Sequence, residues 1–211
     1  FRSLAGGPVS LTALARAGDV TSVVFGVGGD LESGSEAIPV IFQEGVVNSA
    51  SFAPGATPVA PGSLLSVFGV NLTEATAAAA SLPLPRELAG VKVLVGSLEA
   101  PLVAAVAEAG PGYDQILFQL PVELGAATYA DVVVVNNGVI SGAEGLSLAP
   151  AVPAAFTISQ QGTGAAAALH GDFAPVSATR PARPGQTILL FATGLGTVRP
   201  PAASGEPPAA L

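Results

Sequence analysis

The chain has no cysteine, no methionine and no tryptophan, and its 211 residues include one lysine and six arginines. Without cysteine there is no disulfide framework and no thiolate metal site. Seven cations against 15 carboxylates give a net charge of −8, with no basic stripe to neutralise phosphates. That balance excludes a nucleic-acid binder and disfavours docking on an anionic membrane surface. No apolar run approaches the roughly 20 residues that a helix needs to span a bilayer. Phe1, where a start methionine would stand, fits a chain whose leader has been removed or a piece of something longer.

What is present is apolar and heavily punctuated. Half of the residues are hydrophobic and 10% are charged, while 26 Gly and 19 Pro fall between the apolar runs. That pattern calls for a core crossed by many turns. The Ala-rich windows "TAAAASL" and "GAAAALHG" lack a sustained apolar stripe with caps, so they read as loops or short turns. Strand signals are short and rich in Val, Leu, Ile and Phe, bounded by Gly, Pro or Asn. They comprise "TSVVFGVG" (21–28), "IPVIFQE" (38–44), "SLLSVFGV" (63–70), "VKVLVG" (91–96), "QILFQLPV" (115–122), "DVVVVNN" (131–137), "AFTISQ" (155–160) and "QTILLFATG" (186–194). Asn137-Gly138 suits a hairpin turn, because both residues tolerate positive φ. Such spacing argues for an all-β sandwich.

Internal repetition sets the expected organisation. "VAPGSLLSVFGVNL" (59–72) lies over "ARPGQTILLFATGL" (182–195) at an offset of 123, with Pro61/Pro184, Gly62/Gly185, Phe68/Phe191 and Leu72/Leu195 coinciding. Upstream, "SFAP" (51–54) matches "DFAP" (172–175) once a two-residue gap is allowed. A second match, at an offset of 93, sets residues 22–47 over 115–140 and pairs Phe25/Phe118, Leu31/Leu124, Val40/Val133, Gly45/Gly138 and Val46/Val139. One module thus starts twice and ends twice. The first offset places Leu211 opposite position 88, and the second places Phe1 opposite position 94, so the two terminal pieces together approximate one further module.

The stretches "VVNSASFAPGATPVAPGSLLSVFGVNL", "LPRELAGVKVLVGSLEAPL", "QILFQLPVEL", "PAAFTISQQGTGAAAALHGD" and "PGQTILLFATGLGTVRPP" resemble an uncharacterised C-terminal domain common in large secreted and cell-surface proteins of acidobacteria and related soil bacteria. The resemblance covers roughly residues 46–206. It implies consecutive Ig-like β-sandwich modules of the IPT/TIG-like kind in an extracellular or cell-surface setting, with no established enzymatic residues. The chain departs from that pattern by carrying strands like the second module's missing half at its N-terminal side. The expected fold is therefore all-β, with Ig-like β-sandwich modules: one complete central module (46–150) and two complementary half-modules. Residues 1–45 are the C-terminal half of a module, 151–164 a connecting strand or linker, and 165–211 the N-terminal half of a second module.

Candidate chemistry is sparse. His170, the single histidine, sits beside Gly171-Asp172 and reads as a loop residue rather than a triad base. One His, no Cys and scattered carboxylates provide no metal cluster, and Glu32, Glu36 and Glu44 read as solvated rather than as a calcium site. "GVGGD" (26–30) lacks the Lys and helix of a phosphate loop. Asn71-Leu72-Thr73 fits the N-glycosylation pattern. Phe25, Phe68, Phe118 and Phe191 read as core. Two tyrosines, Tyr113 and Tyr129, without tryptophan offer little platform for a glycan or matrix ligand. The expectation is a non-enzymatic chain with no catalytic residue, no metal and no cofactor.

A half-sandwich leaves apolar faces and strand edges open to water. The expected function is structural: N-terminal strands of one subunit complete the C-terminal half-module of the next, giving a head-to-tail homopolymer, filament or surface polymer. The assembly residues expected are Val23, Val24, Phe25, Val40, Ile41 and Phe42 on the donor strands, and Ile188, Leu189, Leu190 and Phe191 on the acceptor. Closure within one chain and a longer covalent array remain open on sequence grounds. An accessory adhesion or ligand-binding module of a larger secreted protein is the alternative function.

Overall fold

The computed structural model describes residues 14–17, 20–23, 37–53 and 57–207. The chain divides into two compact units, Phe1–Glu36 and Ala37–Leu211. In the first, β1 (Leu14–Ala17) and β2 (Val20–Val23) pair antiparallel, with Leu14 opposite Val23 and Ala17 opposite Val20.

The second unit is built around two five-stranded antiparallel sheets. The first sheet contains β3 (Val40–Asn48), β4 (Leu64–Val70), β5 (Ala77–Ala78), β8 (Leu102–Gly110) and β9 (Tyr113–Gln119), in the order β3-β4-β9-β8-β5. The other contains β6 (Val91–Val95), β7 (Leu98–Glu99), β10 (Tyr129–Asn136), β11 (Val139–Ile140) and β12 (Glu144–Ser147); β10 lies between β6 and β11 and also pairs with β12. A 3-10 turn, Val122–Leu124, follows β9.

Alternation of side chains explains why these runs become strands of a sandwich. Along β6, Val91, Val93 and Val95 are buried, while Lys92 points outward to Glu99 at 3.1 Å and Glu87 at 3.6 Å. Val95 and Val93 stand opposite Val132 and Val134 of β10. From the first sheet, Leu65 and Val67 of β4 face inward beside Ile116 and Phe118 of β9. The inward sides of both sheets form one continuous core. Each fully buried aliphatic or Phe side chain stabilises this core by about 1.5–3 kcal/mol relative to its exposed state. The chain is all-β, as its short, turn-bounded apolar runs imply.

Three local differences from the sequence reading have physical causes. Residues 102–110, rich in alanine, form a nine-residue strand because β9 supplies an edge whose ladder outweighs weak strand propensity. Of the strand expected at 155–160, only Ala155 lies in a strand, β13 (Ala154–Ala155), and Thr157 makes an isolated bridge to Ala166. Third, β3 runs through position 45/46, where sequence comparison divides a half-module from the complete one. Glu44 has φ of 55°, like its counterpart Asn137 at 48°, yet the chain forms a bulge here instead of a hairpin. The register against β4 shifts between Ile41 and Val46 and pairing then resumes. Gly45 is required at this bulge: a Cβ would lie 2.7 Å from the carbonyl oxygens of Phe42 and Phe68.

Residues 150–207 belong to the same compact unit as the two sheets. They contribute two small pairs, β13 with β16 (Ala192–Thr193), and β14 (Ala168–His170) with β15 (Ile188–Leu190). Among the described residues, neither pair acquires a third strand.

Candidate functional site

The β14–β15 pair reproduces the β3–β4 pair residue for residue. Ala168, Leu169 and His170 stand opposite Leu190, Leu189 and Ile188, as Val46, Val47 and Asn48 stand opposite Val67, Ser66 and Leu65. The connecting turns agree as well. Phe52 and Phe173 have φ of 55° and 63°, and Gly62 and Gly185 have φ of 85° and 84°. The Phe52 N–H donates to the Asn48 carbonyl at 2.7 Å, and the Phe173 N–H to the His170 carbonyl at 2.9 Å. At the offset of 93, Ala17 opposite Val20 answers to Gly110 opposite Tyr113.

The two pairs differ in cover. Leu65, Val67 and Leu72 are 0% exposed, whereas their counterparts Ile188, Leu190 and Leu195 are 42%, 48% and 68% exposed. Successive residues of a strand face opposite sides, yet all three residues of β15 are exposed. Both faces of this strand are therefore partly open to solvent. β4 has β3 on one edge and β9 on the other, and Ile116 and Phe118 of β9 sit opposite Val67 and Leu65. β15 has β14 on one edge and, among the described residues, no strand on the other. Its edge presents free backbone groups beside apolar side chains, the arrangement that recruits a further strand.

A polar clasp fixes the region bearing β15 to the central sandwich. The Leu64 N–H donates to Thr193 Oγ1 at 2.8 Å. Farther on, Ser204 is buried: its hydroxyl donates to Glu123 Oε2 at 2.5 Å, and its N–H donates to Glu123 Oε1 at 3.0 Å. The Val122 N–H donates to Ser204 Oγ at 2.7 Å, and the Gly205 N–H to Gln119 Oε1 at 2.6 Å. Arg86 completes the clasp, donating to the carbonyls of Ser204, at 3.0 Å, and of Glu99. Burial pushes the Glu123 carboxyl up, but the two Ser204 donors outweigh it, with Arg86 adding a nearby charge, and hold it below the usual carboxylate range. Sequence comparison missed this clasp. The bonds that reach the C-terminal region join residues 81 to 129 positions apart, so no local motif announces them.

The residues expected to mediate assembly fall in three places. Ile188, Leu189 and Leu190 form β15, and Phe191 follows it, all exposed. Val23 ends β2, where its backbone pairs with Leu14, and Val24 and Phe25 lie outside the described residues. Val40, Ile41 and Phe42 lie in β3. Val40 and Ile41 pair with Val70 and Gly69, so the structure sets this part of the expected donor on the edge of β4 and not against β15.

The remaining candidates are dispersed. His170 ends β14 rather than lying in a loop; it is buried, and its Nε2–H donates to the Arg180 carbonyl at 3.1 Å. Asp172 turns instead to Arg180, at 2.7 Å, and accepts the Ala174 N–H at 3.2 Å, so it does not orient the imidazole. Glu44 lies at the β3 bulge, with its N–H donating to Glu144 at 2.8 Å, while Glu32, Glu36 and "GVGGD" lie outside the described residues. Among the described residues no group of three His, Asp or Glu side chains converges to hold a metal, and no helix is long and apolar enough to cross a membrane. Asn71 is exposed and donates through Nδ2 to the Ile38 carbonyl at 3.2 Å, whereas Thr73 is buried. Of the aromatic residues read as core, Phe118 is buried. Phe68 lies on the opposite side of its strand from Val67, edge-to-face with Tyr113 at 5.8 Å, and Phe191, its repeat counterpart, is 45% exposed. Period-two alternation puts these two outside the core. No known protein family, curated protein or solved structure matches the chain.

Proposed function

We propose that the chain is a non-catalytic extracellular structural protein of Ig-like modules, in which N-terminal strands of one subunit complete the sheet that β15 leaves open in its neighbour. The observation that carries this reading is the contrast between Leu65 and Val67, fully buried, and their counterparts Ile188 and Leu190, close to half exposed. An added strand satisfies the free backbone edge and covers apolar surface in the same step. Donor and acceptor are different surfaces, so the contact is head-to-tail and generates an open filament unless the rotation closes a ring. The extracellular or cell-surface setting is carried by the resemblance to acidobacterial secreted domains, and antibody labelling of intact cells tests it.

Light scattering and negative-stain microscopy of the purified chain test the assembly. Polymers that dissolve in the double variant Ile188→Asp/Leu190→Asp support it, and monomers at every concentration overturn it. Intact mass of native material under denaturing conditions separates noncovalent subunits from a covalent array.

A second reading, an accessory adhesion or ligand-binding module, is favoured by one feature. A cavity of about 610 Å³ is lined by Ser66 and Gln115 of the first sheet and by Phe156 and Phe191 of the C-terminal region. Gln115 Nε2 donates to Ser66 Oγ there at 2.9 Å. Hydrogen-bonding side chains beside aromatic faces suit a sugar ring. Saturable calorimetric binding of a soluble glycan by monomeric chain, lost in Gln115→Ala, supports that role.

A further inference from the structure

The cavity that Phe191 lines restricts the class of molecule that fits it. Resting on the ligand-binding reading, we propose that it is a site for one neutral sugar unit. The Gln115 amide and the Ser49–Ser66 hydroxyl pair engage the sugar's hydroxyls, and Phe156 and Phe191 lie against its ring. The floor of the cavity is the outer face of the first sheet. Ser66 stands between Leu65 and Val67, and Gln115 just before Ile116. Alternation therefore turns Ser66 and Gln115 away from the core that those three neighbours help to fill. A hydroxyl at position 66 is not a demand of the strand itself, because Leu189 holds the matching place in the repeat.

The C-terminal region supplies the remaining wall, and its backbone is tied in place. The Phe156 N–H donates to the Phe191 carbonyl at 2.9 Å, the Phe191 N–H to the Ala167 carbonyl at 3.2 Å, and the Ala167 N–H to the Phe156 carbonyl at 2.7 Å. All three residues of this ring of bonds line the cavity. The segment between the bridged residues Thr157 and Ala166 seats Gly162 against Ser51, which lies between the lining residues Ala50 and Phe52. A Cβ on Gly162 would lie 2.0 Å from the Ser51 carbonyl oxygen, so the approach is backbone on backbone. The enclosed volume, about 610 Å³, falls within the roughly 300–1,000 Å³ of preformed small-molecule sites.

Unspent hydrogen-bonding capacity defines the guest. Ser49 Oγ and Ser66 Oγ lie 3.0 Å apart, and Gln115 Nε2 donates to Ser66 Oγ. Two hydroxyls carry two hydrogens and the bond between them uses one, so one hydrogen is left to donate. The Gln115 amide keeps its oxygen and a second hydrogen, neither engaged among the described residues. The cavity thus offers donors and an acceptor beside two phenyl rings. An entirely apolar guest would cover those groups without pairing them. A charged guest would lose water and gain no counter-ion, because among the described residues no charged side chain lines the cavity. A neutral sugar meets both conditions, with hydroxyls that donate and accept around an apolar face that packs on an aromatic ring.

Nuclear magnetic resonance titration of the full chain, labelled with nitrogen-15, tests the assignment. The probes are methyl β-glucoside, methyl β-galactoside and methyl β-mannoside, with glucuronic acid, cyclohexanol and adenosine as charged, apolar and flat counterparts. The expected result is saturable binding of a neutral glycoside that moves the Gln115 side-chain amide signals, with glucuronic acid weaker by about tenfold or more. Gln115→Ala should weaken glycoside binding about tenfold through lost hydrogen bonds. Phe191→Leu, at a position 45% exposed and so tolerant of substitution in folding, should weaken it severalfold. Equal binding of glucuronic acid or cyclohexanol overturns the neutral-sugar assignment, as does binding of adenosine with the glycosides silent. Glycoside binding undiminished in both variants overturns the cavity as the site while leaving the ligand-binding reading intact. Silence from every probe overturns that reading itself.

Discussion

Ser204 and Glu123, 81 residues apart in the chain, share two hydrogen bonds, one from the serine hydroxyl at 2.5 Å and one from its backbone N–H at 3.0 Å. This contact, with the Val122 N–H seated on the same hydroxyl oxygen at 2.7 Å, holds the C-terminal region against the turn that follows β9. Ser204→Ala removes the donor to a carboxylate and strands the Val122 N–H. Its expected cost is about 1–3 kcal/mol in denaturant unfolding. Limited proteolysis of this variant should cleave within 194–207 first.

The same contact gives an acid dependence. Glu123 is held below the usual carboxylate range, so its contribution is fully present above that range and is lost as pH falls through the lowered value. Clasp release, followed by proteolytic susceptibility of the C-terminal region, should therefore appear only on the acid side. Glu123→Gln should flatten that limb, and an unchanged profile in the variant counts against the assignment.

Leu65 and Ile188 occupy matched positions with different cover, 0% and 42% exposed. Leu65→Ala should cost about 2–5 kcal/mol, the range for a large-to-small change in a packed core. Ile188→Ala in the dissociated subunit should fall within about 0.5 kcal/mol, the range for a surface change. In the assembled state its effect should rise toward that of Leu65→Ala. Denaturation below and above the assembly concentration measures the difference.

Gly62 and Gly185 share φ near 85° at the same turn of the repeat. A side chain there costs about 1–2 kcal/mol in the left-handed region. Gly62→Ala also brings a Cβ to 3.3 Å from Val122 Cγ1, whereas nothing lies within 4 Å at Gly185. Gly62→Ala should therefore lower the melting temperature more than Gly185→Ala, and the reverse order would argue against equivalent turns.

Gly194 has φ of 76°, and a Cβ there would lie 2.1 Å from the Val152 carbonyl oxygen, backbone that cannot swing aside. Gly194→Ala should break the Val152 N–H to Gly194 carbonyl bond, now 2.9 Å, and loosen β13 from β16. Hydrogen exchange should rise across 150–196 while Val93, Val132 and Phe118 keep their protection.

The sequence signals that proved readable are those in which composition and punctuation agree. β4, β6, β9 and β10 are runs of Val, Ile, Leu and Phe between turn residues, and each falls where its segment was expected. The repeat of residues 59–72 at 182–195 was legible through Pro-Gly and Phe, and it led to the uncovered strand at Ile188–Leu190. Two kinds of feature stayed hidden. β8 rests on pairing with β9 rather than on its own alanines, and the Glu123–Ser204 clasp joins residues with no sequence relation. Glu44-Gly45, matched by the repeat to Asn137-Gly138, forms a bulge where its counterpart forms a turn. Its positive φ serves a bulge as well as a turn, and only the partner strand decides between them.

That bulge has a mechanical consequence. Because β3 continues through Glu44-Gly45 to Asn48, tension arriving at Ala37–Pro39 enters a strand already laced to β4, not a slack linker. In the head-to-tail assembly proposed above, an opposing pull delivered through Thr193 would enter at Leu64, the far end of β4. The five paired positions between β3 and β4 would then be loaded side by side in shear rather than peeled open one at a time.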